Sequence, residues 1–368
     1  MGGSGHSRLL RVLHIDPERN WGGGEAQVFG LLKNLADWGH RNDLATDPDG
    51  RLFRLAQSLD VGRIPLQIRN DLDLRAVPAL RRIVQEKRYD IVHLHTKRAH
   101  ALSVWLPRRA WGPRYLVTRR MDYPEANNLY IHYLYNRRVD GVVAISQSIA
   151  DLLVKAGVDH DRIRLIHSGI DPAPFLSASS NRTVKDLTPV VGAIGILEKR
   201  KGHRFLLQAA RILKNQGRHI KYVLAGDGSQ RVELERMAQT LGVAEDVTFA
   251  GFVTDVPLFL SAIDFLVMPS LYEGLGVAAL EAMAARKPVI GTRVGGLAES
   301  IVDGETGFLV PPEDGGAIAS AIARILADPA MAEEMGRKGA QRIFNFFTLE
   351  RMAKKNEEYY YALLERHP

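Results

Sequence analysis

The sequence predicts an α/β protein built from two doubly wound parallel sheets, and three observations carry that reading. Strand-like apolar runs are each followed by a helical pattern: RVLHID then AQVFGLLKNLADWGH, YDIVHLH then RAHALSVWL, GVVAIS then QSIADLLVKAG. Such alternation gives parallel strands joined by crossover helices. The pattern stops at PAPFLSASSNRTVKDLTP, a Pro/Ser-rich stretch without periodicity, and restarts with VVGAIGIL, KYVLAGDG, VTFAGFV, DFLVMPS and PVIGTRVGG. The length, 368 residues, suits two domains at about 100–200 residues each. The expected division is a first domain over 1–176, a linker over 177–189, a second domain over 190–345, and a C-terminal helical segment, 346–368, that crosses back to the first domain. A ligand cleft between the two domains is expected.

The individual elements follow from local pattern. Val28, Leu31, Leu32 and Leu35 form one apolar stripe on the first helix, and Gly39 ends it. Composition, 46% hydrophobic and 25% charged, excludes a disordered or fibrous chain. No stretch reaches the roughly 18 uninterrupted apolar residues of a membrane span, and the opening MGGSGHSRLLRVLHID lacks a secretion-signal pattern. Residues 1–7 read as a flexible leader. The absence of cysteine excludes disulfides, a thiolate nucleophile and a Cys-type zinc site, and fits a cytoplasmic location.

Charge is uneven. Residues 1–176 hold 26 Lys and Arg against 19 Asp and Glu, leaving 23 against 23 in 177–368, so the formal +7 belongs to the first half. Lys97 to Arg138 alone carries nine cations against Asp122 and Glu125, with Trp105, Leu106 and Trp111 among them. Interleaved rings and cations suit an anionic membrane surface; the bland alternative is a solvated basic face. No nucleic-acid module accompanies the charge, and no nucleic-acid partner is expected.

Three segments carry chemistry. In SLYEGLGVAALEAMA a strand ending at Ser270 leads through a glycine turn into a helix, so the amides near Leu275, Gly276 and Val277 face out of a positive helix end and can take a phosphate. Glu281 lies eight residues after Glu273. With a helix starting near Leu275, Glu281 sits about two turns in while Glu273 stands on the loop before it. Two carboxylates flanking one phosphate site suit the hydroxyls of two sugars, which points to a nucleotide sugar; the alternative is a helix-start acid and a surface acid. In GILEKRKGHR, Lys199, Arg200 and Lys201 follow a strand, where cations can neutralise a diphosphate and its leaving charge without a metal. In HIDPERNWGGGEAQV, Gly22, Gly23 and Gly24 lie between strand and helix, with Glu25 starting the helix; glycine there permits close ligand approach. G-x-G-x-x-G is absent, which disfavours a dehydrogenase.

Taken together, these motifs resemble the retaining glycosyltransferases of family four, whose GT-B fold sets two Rossmann-like domains face to face. The resemblance runs from GGGE through VDGVVAIS and IHSGID to EGLGVAALEAMAARKPVIGTRVGGLAESIVDGETGFLV. It implies that Glu273 binds donor-sugar hydroxyls, that Glu281 binds the ribose, and that the EGLG loop with its following amides (Gly274, Leu275, Gly276, Val277) binds the diphosphate. Arg200 and Lys201, in an RKG arrangement like that of lipopolysaccharide-core glucosyltransferases, would stabilise the departing nucleotide. Val253 and the GDG at Gly226 to Gly228 would border the base, with Gly23 and Gly24 touching phosphate or acceptor. Two departures stand out: Ile196 replaces a common arginine, and VTRRMDYP replaces a T-x-H-D stretch, leaving Asp122 near the reacting centre and Arg119 or Arg120 to bind an anionic acceptor group.

His93 and His95 alternate on one strand and so share a face. His95 is the candidate acceptor contact. No metal ligation is expected, because no acid or third histidine falls at ligand spacing. The resulting expectation is a cytoplasmic enzyme, peripheral on the inner face of the plasma membrane if its basic domain docks there. It would move a sugar from a nucleotide sugar to a glycan or lipid-linked acceptor, in lipopolysaccharide or other cell-surface glycan assembly, without cofactor or metal. The rivals are a nucleotide-sugar epimerase of the same architecture and a non-catalytic nucleotide-sugar sensor.

Overall fold

The computed structural model describes residues 8–108, 112–176 and 188–366. The expected leader, Arg109, Trp111 and most of the expected linker lie outside the described residues. The chain forms two compact units: 1–169 together with 349–368, and 170–348.

The first unit holds a seven-stranded, all-parallel sheet of β1 (Arg11–Asp16), β2 (Arg41–Thr46), β3 (Gly62–Pro65), β4 (Ile91–Leu94), β5 (Arg114–Arg119), β6 (Gly141–Ala144) and β7 (Ile163–Leu165). Their order is β3-β2-β1-β4-β5-β6-β7. Strands that carry helices on both faces read as continuous apolar runs, and β4 and β6 are buried along their whole length. The first helix, Gly23–Asp37, buries Val28, Leu31, Leu32 and Leu35, and Gly39 follows with φ +87°.

The second unit holds six parallel strands: β8 (Val190–Ile194), β9 (Lys221–Ala225), β10 (Val247–Gly251), β11 (Phe265–Met268), β12 (Val289–Thr292) and β13 (Gly307–Val310), in the order β10-β9-β8-β11-β12-β13. One continuous core cluster joins helix His203–Asn215 to β8, β9, β11 and helix Gly315–Ala327. In both sheets the direction of strand addition reverses once, at β1/β4 and at β8/β11. The carboxyl ends of those strands are where an α/β sheet holds its ligands.

The long helical C-terminal segment is two helices, Pro329–Phe346 and Leu349–Glu365, separated at Phe347 and Thr348. Only the second belongs to the first unit. It buries Tyr359, Tyr360, Tyr361 and Leu363 against β1, β4, β5 and β6. Polar contacts fix its register: the Tyr360 hydroxyl meets His93 Nδ1 at 2.7 Å, and Glu357 Oε1 meets His40 Nε2 at 2.9 Å. Because His40 Nδ1 accepts from the Leu10 amide at 3.0 Å, the His40 proton stands on Nε2 and is donated to Glu357. Lys354 reaches the other oxygen at 2.8 Å, so the buried carboxylate is matched on both sides.

Removing that carboxylate strands a buried donor and a cation. Glu357→Ala is expected to cost about 2–4 kcal/mol, read as a lower urea midpoint for the first unit. Glu357→Gln, which still accepts from His40, should recover part of the loss.

Candidate functional site

In the second unit the site forms where β8 and β11 end. Gly202 ends the Lys199–Lys201 turn at φ +64°, and a Cβ there would stand 1.9 Å from the Pro269 carbonyl oxygen. Only glycine therefore lets the two loops meet. The Leu271 amide then donates to the Arg200 carbonyl at 2.7 Å. This brings Lys201 Nζ to 2.5 Å from Glu273 Oε2, and the Ser270 hydroxyl donates to the same oxygen at 3.2 Å. Arg200 reaches Glu198 at 2.8 Å and is half-exposed. Of the three cations in the motif, Lys201 is thus already matched by Glu273.

After Glu273 the chain turns through Gly276 at φ +81° into the helix Val277–Ala284. Among the described residues the amides of Leu275, Gly276 and Val277 donate to no protein acceptor. Their loop is held from behind: the Ser300 hydroxyl donates to the Leu275 carbonyl at 2.7 Å, and the Gly296 amide to the Glu273 carbonyl at 3.0 Å. The left-handed Gly276 delays the helix start, so Glu281 is its fifth residue and lies little more than one turn in, not the two turns expected from sequence. Desolvation alone pushes the Glu281 carboxyl up to about 7. Beside this loop, Gly226 (φ +139°) after β9 lies against the Gly195 carbonyl, and Gly228 against that of Leu197. Val253 is half-buried after β10, next to an exposed Phe252.

In the first unit the loops after β1, β4 and β5 converge. Gly22 caps the first helix, with Gly23 and Gly24 as its first residues, and Glu25 Oε2 accepts from the Gly22 amide at 2.7 Å. Arg119 is buried and committed to Glu125 at 2.7 Å and to the Tyr123 carbonyl at 3.0 Å. It organises the loop that carries the half-buried Asp122. Arg120 instead donates to His95 Nδ1 at 3.3 Å. His95 therefore carries its proton on Nε2 and gives it to His14 Nδ1 at 3.0 Å, and His14 Nε2 gives its own to Asn42 Oδ1 at 3.3 Å. Burial lowers His14 to about 4 and holds His93 and His95 well below the usual imidazole range, so all three are neutral.

His14, His93 and His95 place ring nitrogens within 4.8 Å of one another, a cluster that spacing in the sequence could not reveal because His14 comes from a different strand. His93 meets Tyr360 and Thr118, each at 2.7 Å, so hydrogen bonds already occupy the facing nitrogens. Asp16, which ends β1 and is 1% exposed, was also missed. The available signal was a carboxylate at the C-terminal end of the RVLHID strand.

Residues 179–342 match the family model for glycosyl transferases group 1, and residues 21–174 the model for glycosyltransferase family 4. The lipopolysaccharide core biosynthesis glycosyltransferase LpsE of Rhizobium meliloti is 31% identical over 68% of this chain and 72% of its own length. The chain belongs to this glycosyltransferase family. The alpha-D-kanosaminyltransferase of Streptomyces kanamyceticus is 36% identical over 42% of this chain, a match that spans 41% of that relative. Among solved structures, Anabaena Alr3699/HepE in complex with UDP-glucose superimposes with a TM-score of 0.83 at 22% identity, covering 96% of this chain and all of that one. The fold of this glycosyltransferase is accordingly GT-B.

The Glu281 shift has a stability consequence for the glycosyltransferase. A carboxyl whose folded value lies above its unfolded one binds more protons when folded. Stability is then lost as pH rises from the unfolded value to the folded one. Glu281→Gln should accordingly stabilise the protein increasingly between about pH 5 and about pH 8, by up to about 2 kcal/mol, measured as paired urea midpoints.

Proposed function

We propose that this glycosyltransferase takes a nucleotide sugar in its second unit and transfers the sugar to an acceptor hydroxyl with retained anomeric configuration. The observation that carries the reading is the Lys201–Glu273 pair, held by Ser270 beside the amides of Leu275 to Val277, which donate to no acceptor among the described residues. One edge of one sheet thus offers a cation and a positive helix end for a diphosphate, and carboxylates for hydroxyls. In this assignment Glu273 accepts from donor-sugar hydroxyls and Glu281 from the ribose. Gly274 lets the loop approach the diphosphate, and Gly226, Gly228 and Val253 border the base.

As the bond from the anomeric carbon to the diphosphate breaks, Lys201 and Arg200 stabilise the charge that accumulates on the departing oxygens. The acceptor oxygen bonds to the same face of that carbon, and its proton passes to a diphosphate oxygen. No protein carboxylate need form a covalent intermediate and no metal is required. The first unit holds the acceptor, with Arg120, His95, Asp122, Gly23 and Gly24 at its site and Arg119 shaping the loop.

The likeness to the lipopolysaccharide core enzyme of Rhizobium meliloti and the basic first half support a place in cell-surface glycan assembly, including lipopolysaccharide. Among the described residues no helix is long and apolar enough to cross a membrane. A lipid-linked acceptor would be met at the surface where Trp105 is half-exposed beside Arg108. Binding to anionic liposomes that falls with added salt supports this docking; salt-independent absence of binding removes it.

UDP-glucose, the ligand of the Anabaena neighbour, is the first donor to test by thermal shift, since a ligand of the folded state alone raises its melting temperature. Lys201→Ala and Glu273→Ala should each lower turnover at least about tenfold while leaving the protein folded. Near-normal turnover in both, or sugar products released without acceptor, would overturn the assignment.

A further inference from the structure

We propose that the open edge of the first sheet, at β7, is a docking groove for an extended peptide segment of another protein in which apolar and acidic side chains alternate. The groove is separate from the residues given chemical roles above, since β7 lies three strands from β4 in the sheet order.

The groove has a volume of about 710 Å³ and is built wholly from the first unit. β7 pairs with β6 on one side and has no strand on the other. Its walls are the helix Gln147–Lys155, which joins β6 to β7, and the helix Leu349–Glu365. These walls belong to opposite faces of the sheet. Right-handed crossovers put the helix that leads from β1 to β2 on one face and the helix that leads the other way, from β6 to β7, on the opposite face. The C-terminal helix shares its core with Leu31 and Leu35 of the former. All three residues of β7 line the groove, although successive side chains of a strand alternate between faces. A cavity that meets both faces and every residue of the edge strand runs along the strand's open side.

Its floor offers backbone. In a parallel ladder alternate residues bond to the same neighbour, and the Ile166 amide donates to the Ala144 carbonyl at 3.0 Å. Arg164 and Ile166 therefore spend their backbone groups on β6, and those of Ile163 and Leu165 face the groove. The Ile163 amide is taken by the His160 carbonyl. Among the described residues no group outside β6 meets the Leu165 amide or the carbonyls of Ile163 and Leu165. Unpaired strand-edge groups of this kind are satisfied by an added strand. Because a helix stands on either side of them, the opening admits one extended chain and not the sheet of a second copy.

The walls choose the side chains. Val143, the register partner of Arg164, packs against the C-terminal helix. Arg164 therefore lies on that face, where Lys355 and Glu358 also line the groove. Ile163 and Leu165 point to the other face, toward Ala150 and the 44% exposed Val154. Lys155 stands at the end of that wall, while Asp151 accepts from Gln147 at 2.8 Å. None of the three cations has an ion-pair partner among the described residues. They outnumber the two acids, one of which is already hydrogen-bonded, so an acidic ligand complements the groove. An added strand sends alternate side chains to the two faces: acids toward Arg164 and Lys355, apolar groups toward Val154, Ile163 and Leu165. The chain's own undescribed segments lack that pattern. Residues 1–7 and 109–111 carry no acid, and 177–187 hold Arg182 and Lys185 against Asp186.

The test measures fluorescence anisotropy of three labelled peptides with the full chain: SVEVEVS, its lysine counterpart SVKVKVS, and SVVVEES, which has the first one's composition without its alternation. SVEVEVS should bind at least about tenfold more tightly than SVKVKVS and at least about fivefold more tightly than SVVVEES. Arg164→Glu combined with Lys355→Glu, both at exposed positions, should reverse the preference between glutamate and lysine. Successive amides of a strand point to opposite sides. N-methylation of either the valines or the glutamates should therefore abolish binding, while methylation of the other set leaves it within about threefold. Equal affinities, equal effects of the two methylations, a preference untouched by the charge reversal, or no binding up to about 1 mM overturns the proposal. So does another occupant, seen as a dimer of the chain in sedimentation or as displacement of the peptide by phosphatidylglycerol vesicles.

Discussion

A parallel sheet can be closed only by crossovers that pass over its faces, and where strand addition reverses direction no crossover covers the carboxyl edge. This chain meets the constraint twice, at β1/β4 and at β8/β11. Lys201, Glu273 and the amides of Leu275 to Val277 follow β8 and β11, while Asp16 ends β1 and His95 follows β4. The helices, glycines and buried polar contacts elsewhere are arranged to make the edges rigid.

The two edges are finished differently. In the second unit a cation and a carboxylate 72 residues apart in sequence meet at 2.5 Å, and a hydroxyl steadies the same oxygen. That arrangement is pre-organised and electrically balanced. In the first unit the nearby charges are matched one by one, Glu18 by Arg98 and Arg119 by Glu125. Arg120 is held instead by a hydrogen bond to the neutral His95.

Much of the fold was legible because most of its strands are largely buried and rich in apolar residues; β1, β6, β9 and β11 stand where the sequence reading put them. β2 was not legible. Its Asn42 and Asp43 break the apolar run because Asn42 receives the His14 proton, and Asp43 takes both Lys87 and the Tyr89 hydroxyl. At the sites, Glu273, Lys201 and Glu281 were legible through local motifs, but the pairing of Lys201 with Glu273 was not, since it depends on two loops meeting at Gly202. Arg119 and Arg120 looked equivalent as neighbours in sequence. They differ because one points to Glu125 on its own loop and the other to the histidine that directly follows β4.

The helix Leu349–Glu365 has a temporal consequence. Tyr360 and Glu357 supply buried partners for His93 on β4 and for His40 just before β2. On a ribosome those side chains emerge only after the entire second unit has been made. The unit that begins the chain is therefore the last to be completed. Until then its sheet holds an open apolar face and stranded histidines. During synthesis the first unit thus waits for its last helix, while every residue of the second unit has already been made.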